Sequence, residues 1–165
     1  MKIGQFLRAL VALGVGIFIT FSQDHSAALG LIAIVIFSLA TAAVTTVEAF
    51  AIKGSAKIET IPAIVLGIVI GSLGLMVTEN QTQAFVLLVA AWGILAGSFE
   101  LYQARSVGLK TQNGRDYLIS AVFSLVLGAL FIINPLDIVS MVGFFGAFAV
   151  MSGVHLGIAA FTPGK

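Results

Sequence analysis

The sequence predicts an all-α, polytopic membrane protein: six transmembrane helices arranged as three hairpin repeats. Three observations predict it. The first is composition, since 59% of the 165 residues are hydrophobic and 9% charged, where a soluble domain carries about 45–50% and 25%. Eight Lys and Arg with seven Asp and Glu are too few to solvate a compact soluble fold of this length. The second is a set of six apolar runs, each near the roughly 17–25 residues that a bilayer core requires. The third is the placement of the basic residues, which precede or open the first run, fill the alternate breaks after runs two and four, or end the chain.

Run one covers 6–21 and ends in the polar stretch 22–26; run two, 27–52, ends at Lys53 and Lys57. Run three, 61–77, opens on Pro62, which is tolerated in the first helical turn because its missing N–H has no partner there. The short break 78–81 leads to run four, 82–102, and a longer polar break, 103–116, to run five, 117–133. Residues 134–137 then separate run five from run six, 138–161. Short breaks within pairs and longer ones between them describe a string of hairpins, with repeats at 1–54, 55–109 and 110–165 in a single membrane domain. The runs are apolar all round and lack the two-residue alternation of barrel strands, so helices are expected.

Lys2, Arg8, Lys53, Lys57, Arg105, Lys110, Arg115 and Lys165 all fall on one side of this arrangement, while Asp24, Glu79 and Asp137 mark the other. The positive-inside rule then puts both termini in the cytoplasm, and the cell (inner) membrane is the expected location. An even number of crossings requires the same. Lys2 and Arg8 ahead of an apolar stretch, with Ser26-Ala27-Ala28 after it, also mimic a secretory signal. Another membrane segment follows rather than an exported domain, so an uncleaved first helix is expected.

Self-similarity supports the repeat. The first helices of the pairs carry Leu13-Gly14-Val15-Gly16, Leu66-Gly67 through Gly71, and Leu127-Gly128. The second helices align Val47-Glu48-Ala49-Phe50 with Phe99-Glu100-Leu101-Tyr102, and Leu156 stands where a third glutamate would fall, a spacing of about 52–56 residues. The third pair, from Leu127-Gly128 through Asn134-Pro135 to Gly153-Val154-His155-Leu156-Gly157, resembles the short-repeat HdeD-like membrane proteins of bacteria. The resemblance covers essentially the whole chain and implies three hairpins, often with a proline in the outer loop, and an association with acid resistance. Only Pro135 keeps that proline, because the other outer loops read Gln23-Asp24-His25 and Glu79-Asn80-Gln81. The resemblance carries over no catalytic residues.

Gly67 with Gly71, Gly93 with Gly97, and Gly153 with Gly157 form three G-x-x-x-G steps. Such stripes let helix backbones approach closely, within one chain or between copies. Glu48 and Glu100 are the only carboxylates inside apolar runs. Each precedes a cation, Lys53 or Arg105, by about 7.5 Å along the axis, which places it near the cytoplasmic headgroups. A five-residue separation turns about 140° around the helix, so a neighbouring helix or a headgroup is the expected partner of each glutamate. Interfacial anchoring and proton or cation handling are both open to them. His155, about 10 Å inside the last helix, and His25, in the first outer loop, are the candidates for a pH-dependent charge or for plain hydrogen bonding.

Zero cysteines exclude disulfides, thiolate nucleophiles and Cys-based metal sites, and two histidines on opposite sides make no metal site alone. No phosphate-binding, dinucleotide, zinc-protease or nucleophile-elbow motif is present. No cofactor is expected, and a net charge of +1 gives no reason to expect nucleic acid. Partners are then membrane lipids, a second copy, or another membrane protein. The sequence favours a non-enzymatic hairpin bundle acting through lipid or membrane-protein interaction, with acid or envelope stress as the setting that the resemblance implies. The alternative is a small transporter or channel in which Glu48, Glu100, Thr41, Thr45 and His155 line a wet path. An enzyme ranks last, for want of polar residues at a common depth.

Overall fold

The computed structural model describes residues 2–51, 55–133 and 136–162, less the side chains of 55–57. Lys53, the Lys57 side chain, Asn134, Pro135 and Lys165, used above, lie outside the described residues. Six α-helices account for nearly all of it: α1 (Ile3–Phe21), α2 (Ala27–Ala51), α3 (Ile61–Leu75), α4 (Gln81–Val107), α5 (Gln112–Ile133) and α6 (Ile138–Phe161). A 3-10 turn, Ser55–Thr60, leads into α3. All six are long and apolar enough to cross a membrane, α3 together with part of the preceding turn.

Local chemistry sets the helix ends. Ser26 precedes α2 and its Oγ accepts from Leu29 N at 3.4 Å, while Asp24 accepts from Ser26 N at 2.9 Å and from Ser26 Oγ at 2.7 Å. Asp137 caps α6 through Ser140 N and Oγ, at 3.0 and 2.6 Å. Thr111 Oγ1 accepts from Gly114 N at 3.0 Å to start α5. Asn80, ahead of α4, adopts φ +49°, a left-handed conformation that Asn tolerates better than most residues. The polar break 103–116 is shorter than its composition predicts. Helix α4 continues to Val107, with Arg105 in its last turn where a cation suits the carbonyl ends, and α5 begins at Gln112, leaving four residues between them. Gly108 makes this turn possible, at φ +93°.

Packing is cyclic. Helices α2, α4 and α6 meet at the centre; α1 lies against α6 and α2, α3 against α2 and α4, and α5 against α4 and α6. The most extensive interfaces, α4 with α5, α1 with α6 and α2 with α3, run between the sequence hairpins rather than within them. Glycine explains why. A Cβ on Gly97 would lie 2.9 Å from Leu125 N and 3.0 Å from Ala121 O; one on Gly153 would lie 2.8 Å from Leu13 N and 3.0 Å from Ala9 O. Gly128 meets Ile94 N at 2.8 Å and Ala90 O at 3.1 Å, as Gly16 meets Val150 N and Gly146 O at the same distances. Thus α4–α5 and α6–α1 are one interface built twice, 56 residues apart on the central helix (97 to 153) and 112 on the outer (16 to 128). In α2–α3, a Cβ on Gly67 would lie 2.7 Å from Ser38 O and 2.8 Å from Ala42 Cβ. Lipid supplies no hydrophobic drive for helix association, so contacts this close are how van der Waals attraction holds the bundle.

One half of the centre is filled. Phe85, Val89, Phe145, Val142 and Ile34 are fully buried. Phe85 meets Phe131 and Phe145 edge-on, at centroid separations of 5.7 and 6.1 Å. Outward positions such as Phe21, Leu75, Ile133 and Phe161 are exposed, as lipid-facing residues are.

Candidate functional site

The other half of the centre is hollow. The C-terminal parts of α2, α4 and α6 and the N-terminal parts of α1, α3 and α5 surround a cavity of about 920 Å³. Lys2 N donates to Ala160 O at 2.9 Å and Lys2 Nζ to Asn113 Oδ1 at 2.7 Å, which brings both ends of the described chain to the cavity's mouth. Its deep end is an aromatic floor in which Phe37, Trp92 and Phe148 meet edge-on, with centroids 5.0–6.2 Å apart.

The lining repeats with the fold. Trp92 and Phe148, Ala96 and Ser152, and Glu100 and Leu156 are each 56 residues apart, and all six line the cavity. Gln5 with Tyr117, Arg8 with Ser120, and Ala12 with Ser124 are each 112 apart and do so too. Equivalent positions thus form rings that grow more polar from the aromatic floor toward the mouth.

Two carboxylates face this space. Glu48 pairs with Arg8 across α1 and α2, Nη2 to Oε2, at 3.0 Å, each side chain 26% exposed. Gly4 makes the pair possible, because a side chain there would occupy the Glu48 carboxylate. Glu100 accepts from Ser124 Oγ at 3.1 Å, and among the described residues no Lys or Arg nitrogen lies within 4 Å of it. Arg8 acts on Glu100 only at longer range. Tyr117 lines the same cavity as Arg8, Glu48 and Glu100. The Gln5 Oε1 and Arg8 Nε atoms on the same wall are buried with no hydrogen-bond partner among the described residues.

Of the polar residues singled out from sequence, Glu48, Glu100, Thr41 and Thr45 share this cavity and His155 does not line it. The His155 ring instead bonds across to α5, Nε2 to Asp116 O at 3.1 Å, beside the Phe123 ring at 6.1 Å. Because a carbonyl only accepts, that bond fixes the proton on Nε2. His25 is half-buried in the first outer loop, where the Asp24 carboxylate is engaged by Ser26. Gly67, Gly71, Gly93, Gly97 and Gly153 sit at close helix contacts inside the chain, whereas Gly157 has only Ala9 Cβ, 3.9 Å from where its own Cβ would be.

The wet path of the alternative reading anticipated Glu48, Glu100, Thr41 and Thr45 in one cavity, whereas Arg8 was read as a topological or signal-like charge and not as part of the site. The available signal was the 112-residue offset, which puts Arg8, Ser120, Gln5 and Tyr117 on equivalent faces of α1 and α5.

The fold and its apolar helices define a multi-pass membrane protein. In comparisons with known proteins, no family model, curated protein or solved structure matches this chain.

Proposed function

We propose that this chain is a non-enzymatic membrane protein that takes a small amphipathic molecule into its vestibule from the side bearing the basic residues. The observation that carries this reading is the cavity of about 920 Å³, apolar at its floor and polar at its mouth, within the roughly 300–1,000 Å³ of small-molecule sites. By the positive-inside rule that mouth is cytoplasmic. The reading is a concrete form of action through lipid or membrane-protein interaction. The resemblance to HdeD-like proteins, the setting in acid or envelope stress and the bacterial inner membrane belong to the same proposal and rest on the sequence features quoted above.

A second reading, conduction of an ion or small solute, is favoured by Glu48, Glu100, Thr41 and Thr45 sharing one cavity. Against it stands the other half of the centre, where Phe85, Val89, Phe145 and Val142 are fully buried and pack beyond the aromatic floor. One preparation tests both. In proteoliposomes, a neutral brominated long-chain alcohol is expected to quench the single tryptophan, Trp92, saturably, while proton and potassium flux stays at the protein-free level. Flux that Glu100→Gln abolishes would replace the first reading by the second.

A further inference from the structure

The three equivalent positions at the cavity rim carry Glu48, Glu100 and Leu156, and the repeat has given each a different fate. Glu48 has a guanidinium at 3.0 Å. Glu100 has a neutral hydroxyl at 3.1 Å. The other charged groups lining the cavity are already engaged: Arg8 with Glu48, and Lys2 at the mouth with Asn113. Gln5 Oε1 adds a second acceptor on the wall without a donor among the described residues. A carboxylate held partly out of water favours a hydrogen-bonding cation strongly, because the alternative is an uncompensated charge.

We propose that the vestibule selects amphiphiles whose polar end is a protonated amine, with the ammonium on Glu100 and the apolar body against Phe37, Trp92 and Phe148. The proposal rests on the reading of the vestibule as a binding site. An ammonium brings three donors and one charge to a place that offers acceptors and, among the described residues, has no Lys or Arg nitrogen within 4 Å. A carboxylate or sulfate head would meet Glu100 as a like charge. The ammonium has two available sources, a free hydrophobic amine or the headgroup of phosphatidylethanolamine.

The test uses the whole chain in phosphatidylcholine nanodiscs and three probes of equal length: 11-bromoundecylamine, 11-bromoundecanol and 11-bromoundecanoate. Quenching of Trp92 reports occupancy. A Trp92→Phe, Leu75→Trp variant reports partition into lipid alone, Leu75 being 68% exposed on the outside. After that correction the amine is expected to half-saturate at a concentration about ten- to hundredfold below the alcohol, the range for one charge-assisted hydrogen bond. Undecylamine should compete it off. Glu100→Gln should bring the amine to the level at which the same variant takes up the alcohol.

Equal binding of amine and alcohol, or tighter binding of the carboxylate, would overturn selection for ammonium while leaving the binding site standing. Corrected quenching by none of the three would overturn the binding site as well. Should Glu100→Gln fail to fold, the ranking of the three headgroups on the native chain decides the matter. Loss of bromoamine quenching when phosphatidylcholine is replaced by phosphatidylethanolamine assigns the ammonium to a lipid headgroup. Retention assigns it to a free amine.

Discussion

Arg8 and Glu48 illustrate how a charge is kept inside an apolar bundle. Each is about one-quarter exposed and faces the other at 3.0 Å, between the exposed pairs worth roughly 0.2–1 kcal/mol and the buried pairs whose breaking costs about 3–5 kcal/mol. Arg8→Ala should therefore destabilise the protein by about 1–2 kcal/mol in reversible detergent denaturation. Adding Glu48→Gln should recover part of the loss, because the variant then no longer holds an unmatched carboxylate. A double variant no better than Arg8→Ala alone would show that the stem of Arg8, and not its charge, is what matters. At the opposite end Asp137 is fully exposed, and its hydrogen bonds from Ser140 hold its carboxyl below the usual value of 3.8. A carboxyl lowered on folding contributes stability above its unfolded pKa and loses it as pH falls through the folded one. The difference in thermal midpoint between the native chain and Asp137→Ala should hence be full at neutral pH and shrink once pH drops below about 4. A difference that does not change with pH would remove the charge from the capping argument.

Glycine decides which helices pair. On α4 and α5, Gly93 and Gly128 lie under one another's backbones, a Cβ on Gly93 falling 2.7 Å from Ser124 O and 2.8 Å from Gly128 N. Gly93→Ala should push the two helices apart at a cost of about 1–3 kcal/mol, the range for overpacking. Gly14 and Gly143 have open space around the same position, so Gly14→Ala and Gly143→Ala should be neutral or stabilise by up to about 1 kcal/mol through helix propensity. Thermal unfolding of the three variants side by side checks both halves of the expectation. The helices themselves were legible in the sequence: run two, 27–52, and run six, 138–161, are α2 and α6 to within a residue. Length and hydropathy suffice there, because lipid forces every backbone group into a helix. The continuation of α4 to Val107 and the start of α5 at Gln112 were not legible, since Gln103, Arg105 and Arg115 read as loop by polarity although nothing in them breaks a helix. The partners of the helices were only half legible. The glycine steps announced close approach without naming the neighbour, and loop lengths pointed to the looser of the two choices.

For the molecule as a whole, the repeat of 52–56 residues was visible at Glu48, Glu100 and Leu156, whereas the size and full lining of the cavity those residues rim were not. A hollow arises where side chains from six separated segments fail to meet, and no single segment records that. Glu48 and Glu100 were singled out by their depth, and their place on the rim agrees with it; Arg8, Gln5, Tyr117 and Ser124 entered the site only through the fold. His155 shows the converse, a residue notable by chemistry that the fold spends on a cross-link between α5 and α6.

The seam between α6 and α1 repeats the glycine contacts of the covalently continuous α4–α5 pair, and Lys2 N already bonds Ala160 O across it at 2.9 Å. Nothing in the ring therefore marks where translation has to start. A permuted gene that fuses Thr162 to Lys2 through a few flexible residues and opens the chain between α2 and α3 would keep every interface and leave the new ends on the same side of the membrane as the old. Such a product should insert, resist proteolysis and quench with the same probes as the parent; failure to do so would mean that the order of insertion, rather than the finished packing, determines this fold.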